Sequence, residues 1–407
     1  MNRILVLVIF LLSYCWHAEA GLKVGVGVSD ITPPVGTPSA GYEMRYGQEM
    51  KGVHDPLLAT AIFIDNEERQ IAICSVDHLG FDYEMVQQIK EKICHVDGLS
   101  HCTVYVSSSH THSGGGAFMD IPLLGEMLAG KFDPHIRQFY IDGTVQAIIS
   151  AKNNITPAKI GFGNGNLKGM TYYRGSWPQG VNPPNNLNVI KITSLDDQPI
   201  SVLFNFALHP TTLGKGNFLF SADFVGVART ALKKSLEENV VPIFINGAQA
   251  ELIPSTDGKT SEWDLCQHVG DTLAASVLEL WHHIATQDQL EIITKTLSYT
   301  FEVAPTTNGL QLPFKDYRSE INFILFDHQH GIVTIPGELS CVYDQRLAEY
   351  AQKIGYRNLA IFGLTNDAHG YIITPEAWEH RTKESRLSFG GRGYGENLFN
   401  AIRKLLL

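Results

Sequence analysis

The segment Val104-Tyr-Val-Ser-Ser-Ser-His110-Thr-His112-Ser-Gly-Gly-Gly-Ala117 joins a β-branched and aromatic run to two histidines one residue apart, and then to glycines. It reads as a strand that delivers two imidazoles to a loop. Side chains alternate along a strand, so His110 and His112 are expected on one side with Cα atoms about 7 Å apart, close enough to share a metal ion or a substrate. The glycines after them let the backbone turn sharply and approach a ligand. The same spacing also fits a His-x-His at a surface strand end, so spacing alone leaves both roles open.

Those imidazoles need a scaffold, and the periodicity supplies one. Strands are expected over residues 22–29, 58–65 and 70–76, with helical spacing over 82–95 leading into the strand before His110. A helix follows at 139–151, then strands at 159–163, 188–193 and 200–207, and a helix at 223–238. The second half reads as a strand at 241–245, a long helix at 264–283, strands between 290 and 303, and a hairpin of 321–326 with 331–335. Gly337-Glu338 is expected to open a helix toward residue 354, a strand at 359–364 runs into the loop holding Tyr371, and an amphipathic helix at 394–406 follows. Helices and strands stay interleaved, without a linker or repeat. The expectation is an α/β fold in one large domain, residues 21–407, of mixed β-sheets with helices packed outside.

Composition bounds the function. The chain has 407 residues, 44% hydrophobic and 18% charged, enough for a large core. Residues 1–20 have the form of a signal peptide: Arg3, an apolar run over 4–12, and Ala18-Glu-Ala20 as a small-x-small cleavage site. An exported protein, secreted or periplasmic, is therefore expected. The formal net charge is −11 and no basic run is present, which argues against nucleic acid or an anionic surface as partner. Beyond the leader stand five cysteines, Cys74, Cys94, Cys102, Cys266 and Cys341. At most two pairs can form among them, and Cys94 with Cys102 would close the smallest loop.

Several loops together resemble one family. Val24-Gly-Val-Gly-Val-Ser-Asp-Ile-Thr-Pro-Pro-Val-Gly36, Gly41-Tyr42, Gly52-Val-His-Asp-Pro-Leu57, Ser109-His-Thr-His-Ser-Gly114, Asn205-Phe-Ala-Leu-His-Pro-Thr211, Ile335-Pro-Gly-Glu338 and Gly370-Tyr371 occur in the order found in the catalytic domain of neutral, non-lysosomal ceramidases. The resemblance implies hydrolysis of the amide of ceramide to sphingosine and a fatty acid, with one zinc ion per chain, a lipid substrate and peripheral contact with a membrane. It implies no C-terminal immunoglobulin-like domain, because the sequence stops short of one. The implied zinc ligands are His110, His209, Glu338 and Tyr371, a nitrogen and oxygen set suited to Zn²⁺ at about 2.0–2.2 Å. Each also has a plainer role open to it: His209 as a core histidine, Glu338 in a first helical turn, Tyr371 as a buried tyrosine.

The resemblance further implies that His112 orients water or protonates the leaving amine and that Arg174, in Tyr172-Tyr-Arg-Gly-Ser, faces the developing oxyanion. A metal with an open position would polarise the carbonyl and acidify a water. Asp55 beside His54, Asp223, and Asp367 beside His369 are expected to support the ligands or the loops around them. Two departures bear on substrate. Gly247, in Phe244-Ile-Asn-Gly-Ala-Gln-Ala-Glu251, stands where the family carries a serine, and Lys383-Glu384-Ser385 stands where it carries a second tyrosine. Lys383 is the residue expected to donate in the tyrosine's place. Two alternatives follow: a zinc amidase for a different N-acyl substrate, or an idle lipid-binding relative. The apolar stretch 121–130 fits either a lipid entrance or a core helix.

Overall fold

The computed structural model describes residues 21–256, 258 and 261–407, so the expected leader at 1–20 lies outside the described residues. The first half contains β1 (Lys23–Asp30), β2 (Gly52–Val53), β3 (Leu58–Asp65), β4 (Gln70–Val76), α1 (Tyr83–Cys94), β5 (Thr103–Ser108), α2 (Leu124–Ala129), α3 (Pro134–Asn153), β6 (Thr156–Asn166), β7 (Thr171–Tyr173), β8 (Asn186–Ser194) and β9 (Pro199–Phe206). Next come β10 (Leu219–Phe220), α4 (Phe224–Leu236), β11 (Val241–Asn246), β12 (Leu252–Pro254), α5 (Glu262–His283), β13 (Ile292–Glu302), β14 (Asp316–Phe326) and β15 (His330–Thr334). The last are β16 (Glu338–Leu339), α6 (Cys341–Lys353), β17 (Asn358–Phe362), β18 (Tyr371–Ile372), α7 (Pro375–Glu379) and α8 (Tyr394–Leu405).

Eight strands pair in the order β11-β9-β8-β6-β1-β3-β4-β5. The β1–β6 junction holds by two residue pairs, Lys23 with Pro157 and Val24 with Thr156, and there the sheet folds over so that β11 packs on β3, β4 and β5. A second sheet, β13-β14-β15-β17, closes the remaining side. Strand alternation then divides the apolar residues. Ile62, Ile64, Ile71, Ile73, Leu203, Ile243, Ile324 and Phe362 point into one shared core between the sheets. Their neighbours point outward under helices: Ala61, Phe63 and Val106 under α1 and α3, Phe204 and Phe244 under α4 and α5, Phe323 and Ile361 under α6 and α8. Sheets covered on both faces explain why β3 and β4 read as continuous apolar runs. The expected architecture of mixed sheets with outer helices is present.

Within the two large sheets three pairs run parallel: β4 with β5, β9 with β11, and β15 with β17. The loops that leave β5, β9, β15 and β17 at their carboxyl ends carry His110, His209, Glu338 and Tyr371, the end of an α/β sheet where ligands bind. Two expectations are corrected here. Glu338 does not open a helix: it lies in β16, paired in parallel with Tyr371 of β18, while Ser340 caps α6 by accepting from Val342 N. Strand β5 ends at Ser108 and His110 has a left-handed backbone, φ +72°, so period-two alternation does not reach the two histidines. All five cysteines among the described residues are free. No helix among the described residues is long and apolar enough to cross a membrane.

The Val-Gly-Val-Gly pattern of β1 has a packing cause. A Cβ on Gly27 would lie 2.1 Å from the Ala147 carbonyl oxygen of α3, and one on Gly25 would lie 2.0 Å from that of Ala151. These glycines let α3 seat directly on the strand. Gly27→Val is expected to lower stability by about 3 kcal/mol, seen as a lower urea midpoint with an unchanged slope. An unaltered midpoint would refute the close approach.

Candidate metal centre and its surroundings

Three chain segments bring His110 and His112, His209, and Glu338 to one point. The nearest ring nitrogens of the three histidines lie within 4.8 Å of one another. Glu338 Oε2 is 3.4 Å from His110 Nε2 and 3.0 Å from His209 Nε2, and His112 Nε2 is 3.3 Å from His110 Nε2. The opposite ring nitrogens settle the tautomers. His110 Nδ1 meets the Leu79 carbonyl at 2.6 Å, and His209 Nδ1 meets those of Gln249 and Leu252 at 2.8 and 3.1 Å. A carbonyl only accepts, so both Nδ1 atoms carry the proton and both Nε2 atoms present lone pairs inward.

Burial works against a positive charge on two of these rings. Burial, with the Arg174 charge beside it, pulls His209 down to about 4. Burial and then His110 and His209 hold His112 well below its ordinary value. Glu338 Oε2 faces the Nε2 atoms of His110 and His209 and is buried with no hydrogen-bond partner. Such a cluster is costly unless a cation stands among the four atoms. The donor set, imidazole nitrogen and carboxylate oxygen, fits Zn²⁺.

Tyr371 and Arg174 stand against this point. Arg174 Nη2 donates to the Tyr371 hydroxyl at 3.0 Å and to the Ala250 carbonyl at 2.8 Å, and lies 3.5 Å from His209 Nε2. Its Nε donates to Glu384 Oε1 at 3.1 Å, while Nη1 has no partner among the described residues. Burial and Glu338 push the Tyr371 hydroxyl pKa up, only partly opposed by Arg174, so without a cation it stays protonated. His112 differs from the other two imidazoles. Its ring packs edge-on against Tyr42, with centroids 4.8 Å apart, and its buried Nδ1 has no partner, so no carbonyl fixes its tautomer.

Of the two kinds of support expected, the three aspartates give the second: they hold the loops around the centre and hydrogen-bond none of its imidazoles. Asp55 accepts from Ser221 Oγ and Ala222 N. Asp223 accepts from Thr212 and Leu213, fixing the loop after His209, and from Phe224 N as the α4 cap. Asp367 accepts from the Tyr317 hydroxyl, Ser319 Oγ and Tyr83 N on the cavity's far side. His369 beside it meets the Tyr394 hydroxyl at 2.9 Å.

Sequence reasoning missed two residues. Asn246 donates to the Ser109 and Leu208 carbonyls, both at 2.9 Å, and accepts from Leu208 N and Gly247 N, stapling the His110 loop to the His209 loop. Its place at the end of an apolar strand was the available signal. Glu384, and not its neighbour Lys383, reaches Arg174. Gly247 is close-packed: a Cβ there would lie 2.9 Å from Ala207 Cβ, so a serine would force Ala207 aside.

An apolar cavity of about 100 Å³ leads away from His110 and Glu338, walled by Leu79, Phe118, Leu124, Leu128, Leu312 and Phe389. The stretch 121–130 meets both expectations in part, lining this cavity while Leu124 and Ala129 pack into apolar clusters. Helix α2 turns Leu124 and Leu128 to the cavity and leaves Leu123 77% exposed beside it.

An α/β scaffold of mixed sheets with a buried histidine and carboxylate centre beside an apolar cavity defines the class, and similarity to known proteins defines the family. The model of the neutral/alkaline non-lysosomal ceramidase N-terminal region matches residues 22–274, and the chain belongs to that family. Neutral ceramidase A of Dictyostelium discoideum is 26% identical over 288 residues, 65% of this chain and 40% of that protein. The neutral ceramidase of Mycobacterium tuberculosis is 23% identical over 268 residues, 59% of this chain and 41% of that one. These matches span about two fifths of each relative. The crystal structure of neutral ceramidase from Pseudomonas aeruginosa superposes with a TM-score of 0.83 at 16% identity, covering 95% of this chain and 74% of the other, so the fold is shared.

Glu251 offers a test of the wall behind Arg174. Its backbone carbonyl accepts from Arg174 N, its Oε2 accepts from Cys341 N, and burial followed by Glu384 raises its carboxyl to about 7. The folded protein therefore holds this proton more tightly than the unfolded chain does, and stability falls as pH rises from about 4.5 to about 7. Glu251→Gln is expected to flatten that fall, worth up to about 3 kcal/mol, in denaturation curves taken at pH 5 and pH 8. Parallel curves for the two proteins would contradict it.

Proposed function

We propose that this chain is a zinc-dependent amidohydrolase that cleaves the N-acyl amide of ceramide to sphingosine and a fatty acid. The observation that carries the reading is the convergence of three imidazole nitrogens and a carboxylate oxygen without a hydrogen-bond partner at the head of an apolar cavity. Family membership supports the substrate class, and a ceramidase complexed with C2 shares the fold at a TM-score of 0.82. Export through residues 1–20, and peripheral contact with the membrane that presents the lipid, with Leu123 exposed at the cavity's flank, belong to the same reading.

His110, His209 and Glu338 would hold the zinc, with Tyr371 as fourth ligand once its proton leaves. The metal supplies a Lewis acid for the amide carbonyl and a water acidic enough to attack near neutral pH. Only His110 and His209 have tautomers locked for Nε2 ligation, which leaves His112 to move a proton. His112 Nε2 faces the same point and can take a proton from the attacking water and return it to the leaving amine. Arg174 Nη1 is the open donor for the carbonyl oxygen as charge develops on it. The cavity takes the aliphatic chain and excludes water. A second reading, the same chemistry on another N-acyl compound, is favoured by Gly247, which offers no hydroxyl to a sphingoid head group.

A fluorescent N-acylsphingosine delivered in detergent tests the first reading. Fatty acid release that chelation stops and His209→Ala reduces to background is expected. Release that survives chelation would sink the metal role, and no release beside cleavage of other N-acyl amides would favour the second reading. Leu124→Trp should plug the cavity and cut hydrolysis of long-chain relative to short-chain substrates by about tenfold. An unchanged chain-length ratio would place the chain elsewhere.

A further inference from the structure

Arg174 puts a fixed positive charge 3.5 Å from a nitrogen proposed to ligate a divalent cation. Two cations so close repel each other, and in a buried site little water screens them. Zinc with Glu338 and a Tyr371 phenolate as anions is already balanced, which leaves the guanidinium over. The charge that offsets it is Glu384, 1% exposed at its side chain and 3.1 Å from Arg174 Nε. Its segment is anchored on both sides: Ser385 Oγ donates to the Thr382 carbonyl and pairs with Thr307 Oγ1, and Ser388 bridges to Gly370, next to Tyr371.

We infer that Glu384 is the positioning residue of this centre: its carboxylate neutralises Arg174 and tethers the guanidinium away from Glu338, and so sets both zinc affinity and the aim of Arg174 Nη1. The inference rests on the reading that the site holds zinc. Without the tether, the guanidinium has Glu338 as the nearest alternative anion, and an arginine paired there competes with the metal. With the tether, Nε is engaged by Glu384 and Nη2 by Tyr371 and Ala250, which leaves Nη1 as the guanidinium nitrogen without a partner among the described residues.

The test reads zinc affinity by competition with a chromophoric chelator, apart from any turnover, in variants checked for an unchanged circular dichroism spectrum and Tm. Glu384→Gln keeps the shape and removes the charge, and should weaken zinc by about tenfold, about 1.4 kcal/mol. Arg174→Gln removes the opposing charge and should tighten zinc, and the double variant should return to within about threefold of the parent. A role limited to scaffolding would weaken zinc in both single variants. The inference is overturned if Glu384→Gln binds zinc as the parent does, or if Arg174→Gln weakens it. A parent protein that takes up no zinc overturns the metal reading itself and this inference with it.

Discussion

Three imidazole nitrogens and a carboxylate oxygen crowded at one buried point are what the rest of the structure must hold. His110 Nε2, His209 Nε2, His112 Nε2 and Glu338 Oε2 would drift apart or draw in water if their loops were free, since Glu338 Oε2 is left without a hydrogen-bond partner there. They are not free. Backbone carbonyls of Leu79, Gln249 and Leu252 fix two rings through their far nitrogens, and Asn246 ties both histidine loops to the end of β11. The left-handed backbone at His110 fits this picture of local strain held at a working site by its surroundings.

The sheets explain why these loops meet at all. Three separate parallel pairs end at one pole of a shared apolar core, so residues far apart in the chain arrive together there. The same pole carries the cavity, whose walls come from the loops after β4 and β5, from α2 and from the segment after η-turn residues Glu384–Leu387. Reaction type and substrate class thus depend on different parts of the site. On the proposed reading, the donor set would carry the chemistry, whereas Gly247, Glu384 and the cavity wall would serve recognition and tuning.

Much of this was legible in the sequence where local pattern decides. Strands β3 and β4 have the expected bounds because a polar turn at 66–69 separates two apolar runs, and the inner and outer cores follow from period two. The short strands β7, β10, β12, β16 and β18 were not legible, since each exists by pairing with a distant segment, and β16 was mistaken for a helix start. Helix α3 begins at Pro134 rather than at 139, and the Asp133-Pro134 cap was the overlooked signal. At the site, the His-x-His spacing pointed to His110 and His112, whereas His209, Glu338 and Tyr371 came from the family resemblance. Asn246 and Glu384 stayed hidden because each acts on a partner 38 or more positions away, Leu208 in one case and Arg174 in the other, and such reach is not encoded in spacing.

X-ray absorption at the zinc edge on protein purified without added chelator tests the central claim most directly. About one zinc per chain, with only nitrogen and oxygen neighbours at about 2.0–2.2 Å and no sulfur, is the predicted result. Native protein that retains no metal, or a spectrum with sulfur ligation near about 2.3 Å, would contradict the assignment of His110, His209, Glu338 and Tyr371 as the centre.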